Sequence, residues 1–176
     1  NGDAMVSFET CLLSLNEKMT IEYYLNLENY TGDLDDLEVR ISYTDVYGNI
    51  ATTSIDGVDL LYKLYTNGSC YYVAEFSGLN ANEMRTVCTA EVYSKVDGVR
   101  VSDTAIYSVE SFVQNNATAE DVDFVNLIIA MMKYGDAVTK LQVSLCSNNG
   151  SYVELHALNH NLVHFEAKTP TCIDAG

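Results

Sequence analysis

Two stretches of the chain alternate without a break. Met19, Ile21, Tyr23, Leu25 and Leu27 interleave with Thr20, Glu22, Tyr24, Asn26 and Glu28, and Leu37, Val39, Ile41 and Tyr43 interleave with Glu38, Arg40, Ser42 and Thr44. A period of two sends successive side chains to opposite faces of an extended strand, so each stretch has one apolar face to bury and one polar face to leave wet. Two such strands joined by the turn-rich Asn29 to Asp36 cannot cover their own apolar faces, and the chain must supply a second layer.

The rest of the first two thirds continues in the same manner. Met5 to Leu15 starts as an alternating strand with Val6 and Phe8 on one side and changes face near Cys11 to Leu13, which predicts a bulge. Ile50 to Ile55, Leu60 to Tyr65, Cys70 to Phe76 and Arg85 to Val96 read as further short strands, separated by Asp45 to Asn49, Asp56-Gly57, Asn67-Gly68 and the polar Ser77 to Glu83. Asp97-Gly98 between Val96 and Val99 predicts a two-residue hairpin, with its partner strand running to about Tyr107. Short antiparallel strands with turns every eight to fifteen residues predict a mainly β fold, an Ig-like or fibronectin-like antiparallel β-sandwich over about residues 5–109.

After Val109 the period changes. Ser108 to Phe112 reads as a turn of helix, and Phe124, Leu127, Ile128, Met131, Met132, Val138 and Leu141 recur at three- and four-residue spacing. That spacing predicts a C-terminal α-helical segment, about residues 110–146, packed on the sandwich by a wide apolar stripe. Thr118 followed by Asp121 has the form of a capping box, with Glu120, Asp121 and Asp123 opposing the positive end of the helix dipole. Gly135, well inside, predicts a close backbone approach or a break. Residues 1–146 thus form one unit. Residues 147–176 read as a linker and tail that starts at Ser147-Asn148-Asn149-Gly150 and contains every histidine and the single proline.

Asp and Glu number 25 against 9 Lys and Arg, and the formal net charge of −16 repels nucleic acid and anionic membrane surfaces alike. No apolar run reaches the length of about 18 residues needed to cross a bilayer. The chain opens without a basic segment leading into an apolar one, so any secretion signal is expected to have been removed or to lie upstream. The cysteines Cys11, Cys70, Cys88, Cys146 and Cys172 are odd in number and lack a C-x-x-C pair, so most of them read as buried thiols. A bridge among Cys11, Cys70 and Cys88 is left open by the sequence.

Few residues suggest a site. Tyr24 shares the outer face of its strand with Glu22 and Asn26, and Tyr71 precedes Tyr72 on the opposite face. Exposed phenol rings beside carboxylates and amides are what a sugar site uses, stacking on the apolar face of a pyranose while polar groups take its hydroxyls. The ordinary alternative is cross-strand packing. His156, His160 and His164 recur every four residues and, with Cys172, offer four donors for zinc. Asp33, Asp35 and Asp36 offer carboxylates for calcium, but without the register of a calcium-binding loop. A solvated tail and an ordinary turn are the plain readings of these two clusters. No pair of carboxylates sits where acid–base catalysis is predicted, and a cysteine nucleophile would find its histidines only beyond Ser151. Lys18, Lys63 and Lys95 could cross-link to an Asn or Asp side chain, but nothing local marks such a pair. Neither catalysis nor a cofactor is expected.

Two stretches carry a resemblance. Tyr107-Ser108-Val109-Glu110-Ser111-Phe112, followed after a polar spacer by Leu127 through Ala137 (LIIAMMKYGDA), resembles the "YSVxxY … AMLxYGxxA" ending of non-catalytic β-rich modules in large secreted or surface proteins of gut-dwelling Gram-positive anaerobes. Leu15 through Ile21 is similar to the opening strands of the same modules, so the likeness spans roughly residues 5–146. In the tail, His160-Asn161-Leu162, Glu166-Ala167, Pro170-Thr171-Cys172 and Gly176 resemble the start of an adjoining "HxLxxxEAxxPTCxxxG" repeat. The resemblance implies an extracellular module, secreted or attached to the cell wall, acting as a spacer or as a binding and adhesion domain. Its implied partners are the neighbouring modules of the same polypeptide and a glycan or a surface protein of host or bacterium. The alternative is a carbohydrate-binding module of a polysaccharide-degrading enzyme.

Overall fold

A computed structural model describes residues 5–15, 18–64 and 68–149. It is a two-layer antiparallel sandwich. The strands in chain order are β1 (Ser7–Ser14), β2 (Thr20–Asn26), β3 (Leu37–Thr44), β4 (Ile50–Asp56), β5 (Leu61–Leu64), β6 (Cys70–Phe76), β7 (Cys88–Ser94) and β8 (Ala105–Tyr107). They form two sheets in the orders β1-β2-β6-β5 and β4-β3-β7-β8. Lettered from A, these are the A-B-E-D and C′-C-F-G sheets of an immunoglobulin-type sandwich with a four-stranded second layer.

The alternations account for the core. Met19, Ile21, Tyr23, Leu25 and Leu27 from β2 and its flanks meet Leu37, Val39, Ile41 and Tyr43 from β3, and Ala74, Phe76, Cys88, Ala90 and Val92 close the space between the sheets. Both sheets are antiparallel throughout. The predicted face change in β1 is a register shift between Phe8 and Thr10, two residues earlier than the sequence suggests.

Ser7 and Phe8 still pair with β2, but just before them the chain reaches the second sheet: Val6 bridges Ser102 in parallel, and the Met5 and Val6 amides both donate to the Val101 carbonyl, at 3.0 and 3.1 Å. The Phe8 amide donates to Asp103 Oδ1 at 3.1 Å. This contact also explains why the predicted hairpin differs. Asp97-Gly98 does turn the chain, with Gly98 at φ 72°, but the loop spans Lys95 to Gly98, closed by Ser94 N–H to Val99 O at 2.9 Å. Val96 lies within the loop, Val99 pairs with Ser94, and both side chains are exposed.

Two helices follow, α1 (Val109–Asn116) and α2 (Val122–Asn149). Ser108 caps α1 by accepting the Ser111 amide at 3.0 Å. The cap of α2 is Asp121, whose Oδ1 accepts the Asp123 and Phe124 amides at 3.0 Å each, and not the predicted Thr118. An aspartate at this position satisfies two orphan N–H groups and adds its charge to the positive helix end. α2 runs through Ser147–Asn149, which the sequence assigns to a linker, and no break occurs at Gly135. A β-carbon there would lie 2.5 Å from the Ala81 carbonyl oxygen, so Gly135 marks a close approach to the 3-10 turn Ala81–Glu83 between β6 and β7.

The predicted stripe is wider than the contact it makes. Ile128, Met131 and Met132 are buried, Phe124 and Val138 partly so, and Phe124 meets Phe112 of α1 edge-on with centroids 6.0 Å apart. Leu127 and Leu141, by contrast, are 51% and 53% exposed. Ionic and polar bonds complete the docking: Arg85 pairs with Asp136 at 2.9 Å and with Glu110, and Asn82 donates to the buried Gln142.

Candidate functional site

The outer face of the first sheet holds the residues that the alternation singles out. On β2, Glu22 and Tyr24 are two apart and point the same way. The pairing Tyr24↔Val73 and Leu61↔Val73 lays β6 and then β5 beside them, which brings Lys63 of β5 across to the same patch. Tyr24 Oη donates to Glu22 Oε2 at 2.7 Å, and Lys63 Nζ lies 3.2 Å from both of those oxygens. Lys63 Nζ is also 5.2 Å from the centre of the Tyr24 ring, and Tyr71 meets that ring edge-on with centroids 6.2 Å apart.

The result is a closed group rather than an open cleft. Tyr24 is only 4% exposed and is not the exposed ring that the alternation predicts, because Lys63 and Tyr71 arrive from strands some forty residues away. The carboxylate that a sugar hydroxyl would need already takes a phenol and an ammonium. Asn26 stands apart from this group, its amide reaching Glu9 Oε1 at 3.4 Å and its carbonyl accepting the Glu28 amide at 2.8 Å. Glu22, Tyr24 and Tyr71 are therefore brought together, and Asn26 is not.

The carboxylates Asp33, Asp35 and Asp36 lie on the 3-10 turn Leu34–Asp36 and its cap. Among the described residues no three His, Cys, Asp or Glu side chains come together as a metal site. His156, His160, His164 and Cys172 lie outside the described residues, as does the repeat-like tail. Of the lysines considered for cross-linking, Lys63 pairs with Glu22, and Lys95 pairs with the half-exposed Asp56 at 3.3 Å, an ordinary ion pair in water.

A second cluster, which the sequence does not reveal, sits between the sheets. Tyr23 of β2 is fully buried beside Cys88 of β7, with Cys11 of β1 and Tyr107 of β8 at hand. Cys11 is the cross-strand partner of Tyr23, and Cys88 that of Tyr107. Immunoglobulin domains bridge these two sheets with a disulfide between the second and sixth lettered strands; here Tyr23 and Cys88 meet instead, and Cys11, Cys70 and Cys88 are all free. The Tyr23 hydroxyl lies against the Cys88 thiol without reaching hydrogen-bond geometry, and it has no other partner. Burial pushes the Cys11 thiol up to about 11, the Cys88 thiol and the Tyr107 phenol to about 12, and the Tyr23 phenol higher still. Burial thus disfavours the thiolate, the more nucleophilic form, at neutral pH.

No known protein-family model and no curated protein matches the chain.

Proposed function

We propose that the chain is a non-catalytic extracellular module of a multidomain bacterial surface protein, serving as a spacer or as a binding and adhesion domain. The observation that carries this reading is the closed Glu22–Tyr24–Lys63 group on the outer face of the first sheet. This patch of aromatic rings and charged groups spends those groups on each other, as a surface built to be rigid does. The protonated thiols of the inter-sheet cluster support the same conclusion, since a nucleophile has to be activated before it can act. The extracellular setting rests on the resemblance carried by Tyr107 to Phe112 and Leu127 to Ala137. A helix-capped sandwich with few loops beyond its turns suits a unit strung in series with others.

Three measurements test the proposal. The purified chain, incubated with plant and host polysaccharides and with peptide libraries, should release no product; any turnover defeats it. A glycan array separates a spacer from the carbohydrate-binding alternative, which takes over if binding appears and disappears with Tyr71→Ala. Mild protease treatment of intact producing cells should release peptides of this chain, and their retention inside the cell would rule out the surface setting.

A further inference from the structure

One line of apolar residues on α2 is left largely uncovered. Leu127, Ala130, Tyr134, Ala137 and Leu141 are spaced three, four, three and four residues apart, the strict period of a coiled-coil seam. This line is not the one packed on the 3-10 turn. The packed side is centred on Ile128, Met132 and Gly135, about 150° around the helix from the seam at 100° per residue. Leu127 and Leu141 are half exposed, Ala130 and Ala137 are exposed, and Tyr134 is half-buried. A helix needing only to cap a sandwich gains nothing from a second, regularly spaced apolar line.

The charges beside the seam identify its occupant. Lys133 and Lys140 stand one residue before Tyr134 and Leu141, on the flank turned away from the sandwich, where the flanking residues of a coiled coil meet their partner. Arg40, Lys63, Arg85, Lys95 and Arg100 are each held by a carboxylate, whereas Lys133 and Lys140 make no ion pair among the described residues. In a chain of net charge −16, these two cations seven residues apart along an apolar line, of which Lys140 also acts on the Asp136 carboxylate, form a local reversal of sign. Asp123 stands at the N-terminal limit of the seam, and Asp136 is engaged by Arg85. A second copy is a poor occupant, since its seam presents the same lysines and its body the same negative charge.

We propose that α2 docks an amphipathic helix of a partner protein whose flanking positions are acidic, with leucine-type residues packed on Leu127, Tyr134 and Leu141 and carboxylates facing Lys133 and Lys140. The surface is separate from the strands considered above and does not depend on the extracellular reading. The contact spans about two heptads, which suits a weak, reversible interaction whose specificity comes from charge.

The test uses the full chain and two designed helical peptides of identical leucine seam, one with Glu at every flanking position and one with Lys. Like charges on the flanks keep each peptide from pairing with itself. In an NMR titration the Glu peptide should shift amide signals of residues 127–141, and Lys133→Glu with Lys140→Glu should weaken that binding by about tenfold at low salt and transfer it to the Lys peptide. Leu127→Glu with Leu141→Glu, both on exposed positions, should abolish it while leaving the spectrum of the sandwich unchanged. Failure of the Glu peptide to bind, or equal binding of the Lys peptide, overturns the proposal. So does a concentration-dependent dimer in sedimentation that Leu127→Glu dissolves, because the occupant is then a second copy.

Discussion

The Glu83 carboxylate accepts the amide of Val46 at 3.2 Å, joining the β3–β4 turn to a residue 37 positions further on. Its other oxygen accepts the Asn80 amide at 2.7 Å, and the side chain is 2% exposed. One buried carboxylate thus closes a capping box and ties down a hairpin at the place where α2 docks.

Removing that carboxylate leaves two amides without an acceptor. Glu83→Ala should cost roughly 2–4 kcal/mol, since bonds to a charged group are each worth about 1.5–3 and a buried orphan donor bears the desolvation cost. Glu83→Gln, which offers one acceptor and sets an NH2 against the other amide, should fall between. Urea unfolding of the three proteins decides the order, and equal midpoints would show that water replaces the carboxylate.

At Gly135 two tendencies oppose each other. Alanine gains about 1 kcal/mol over glycine in a helix interior, but its β-carbon would sit 2.5 Å from the Ala81 carbonyl and 3.3 Å from Met84 Sδ. The clash wins because backbone cannot rotate away as a side-chain tip can. Gly135→Ala should lower stability by about 1–3 kcal/mol, the usual cost of overpacking, and speed hydrogen exchange in α2. A stabilised variant would mean that the helix lifts away at no cost.

Tyr23→Phe should do the opposite and raise stability by about 1 kcal/mol, because it deletes a buried hydroxyl that has no hydrogen-bond partner while keeping the ring. The ring still packs edge-on against Phe8, with centroids 6.2 Å apart. A loss in the thermal midpoint would show that the contact with Cys88 is worth more than its geometry suggests.

The inter-sheet thiols set an alkaline limit. Burial raises the folded Cys88 thiol from 9.0 to about 12, so the folded chain holds this proton more tightly than the unfolded one. Its contribution is complete below pH 9 and is withdrawn as the pH climbs from there toward 12. The fall approaches roughly 1.4 kcal/mol per pH unit for one such group. Cys88→Ala should lower stability at neutral pH through the cavity it leaves, yet flatten the decline between pH 9 and 10.5. Alkylation mapped by mass spectrometry should find the exposed Cys70 modified well before Cys88. An unchanged slope, or equal labelling, would contradict the buried, protonated thiol.

Strand faces were legible wherever the apolar residues alternate, as in β2 and β3, because the inner faces of a sandwich admit little else. The outer face was not. Nothing near Tyr24 in the chain announces Lys63 or Tyr71, and a residue on the wet side of one strand is buried by groups that arrive through two others. The sequence put the cap of α2 at Thr118, three residues early, and only the path of the chain after α1 moves it to Asp121. The β7–β8 hairpin diverges because Val101 spends its carbonyl on Met5 and Val6, a long-range claim that no local turn signal records. Glu83 could have been found: Asn80-Ala81-Asn82-Glu83 has the spacing of a capping box. The exposed half of the α2 stripe was in the sequence too, but periodicity shows that a face is apolar and not what covers it.

The approach to β1 has a mechanical consequence. Met5 and Val6, just before the strand, lie alongside Val101 and Ser102 in the same direction, stitched by the Met5, Val6 and Phe8 amides. A pull on the leading end of β1 against the trailing end of β8 slides these two segments past each other, so the stitches bear the load simultaneously. Hairpin neighbours such as β3 and β4 would part like a zipper, one rung at a time. Tension applied between β1 and β8 therefore loads these bonds in shear rather than one at a time.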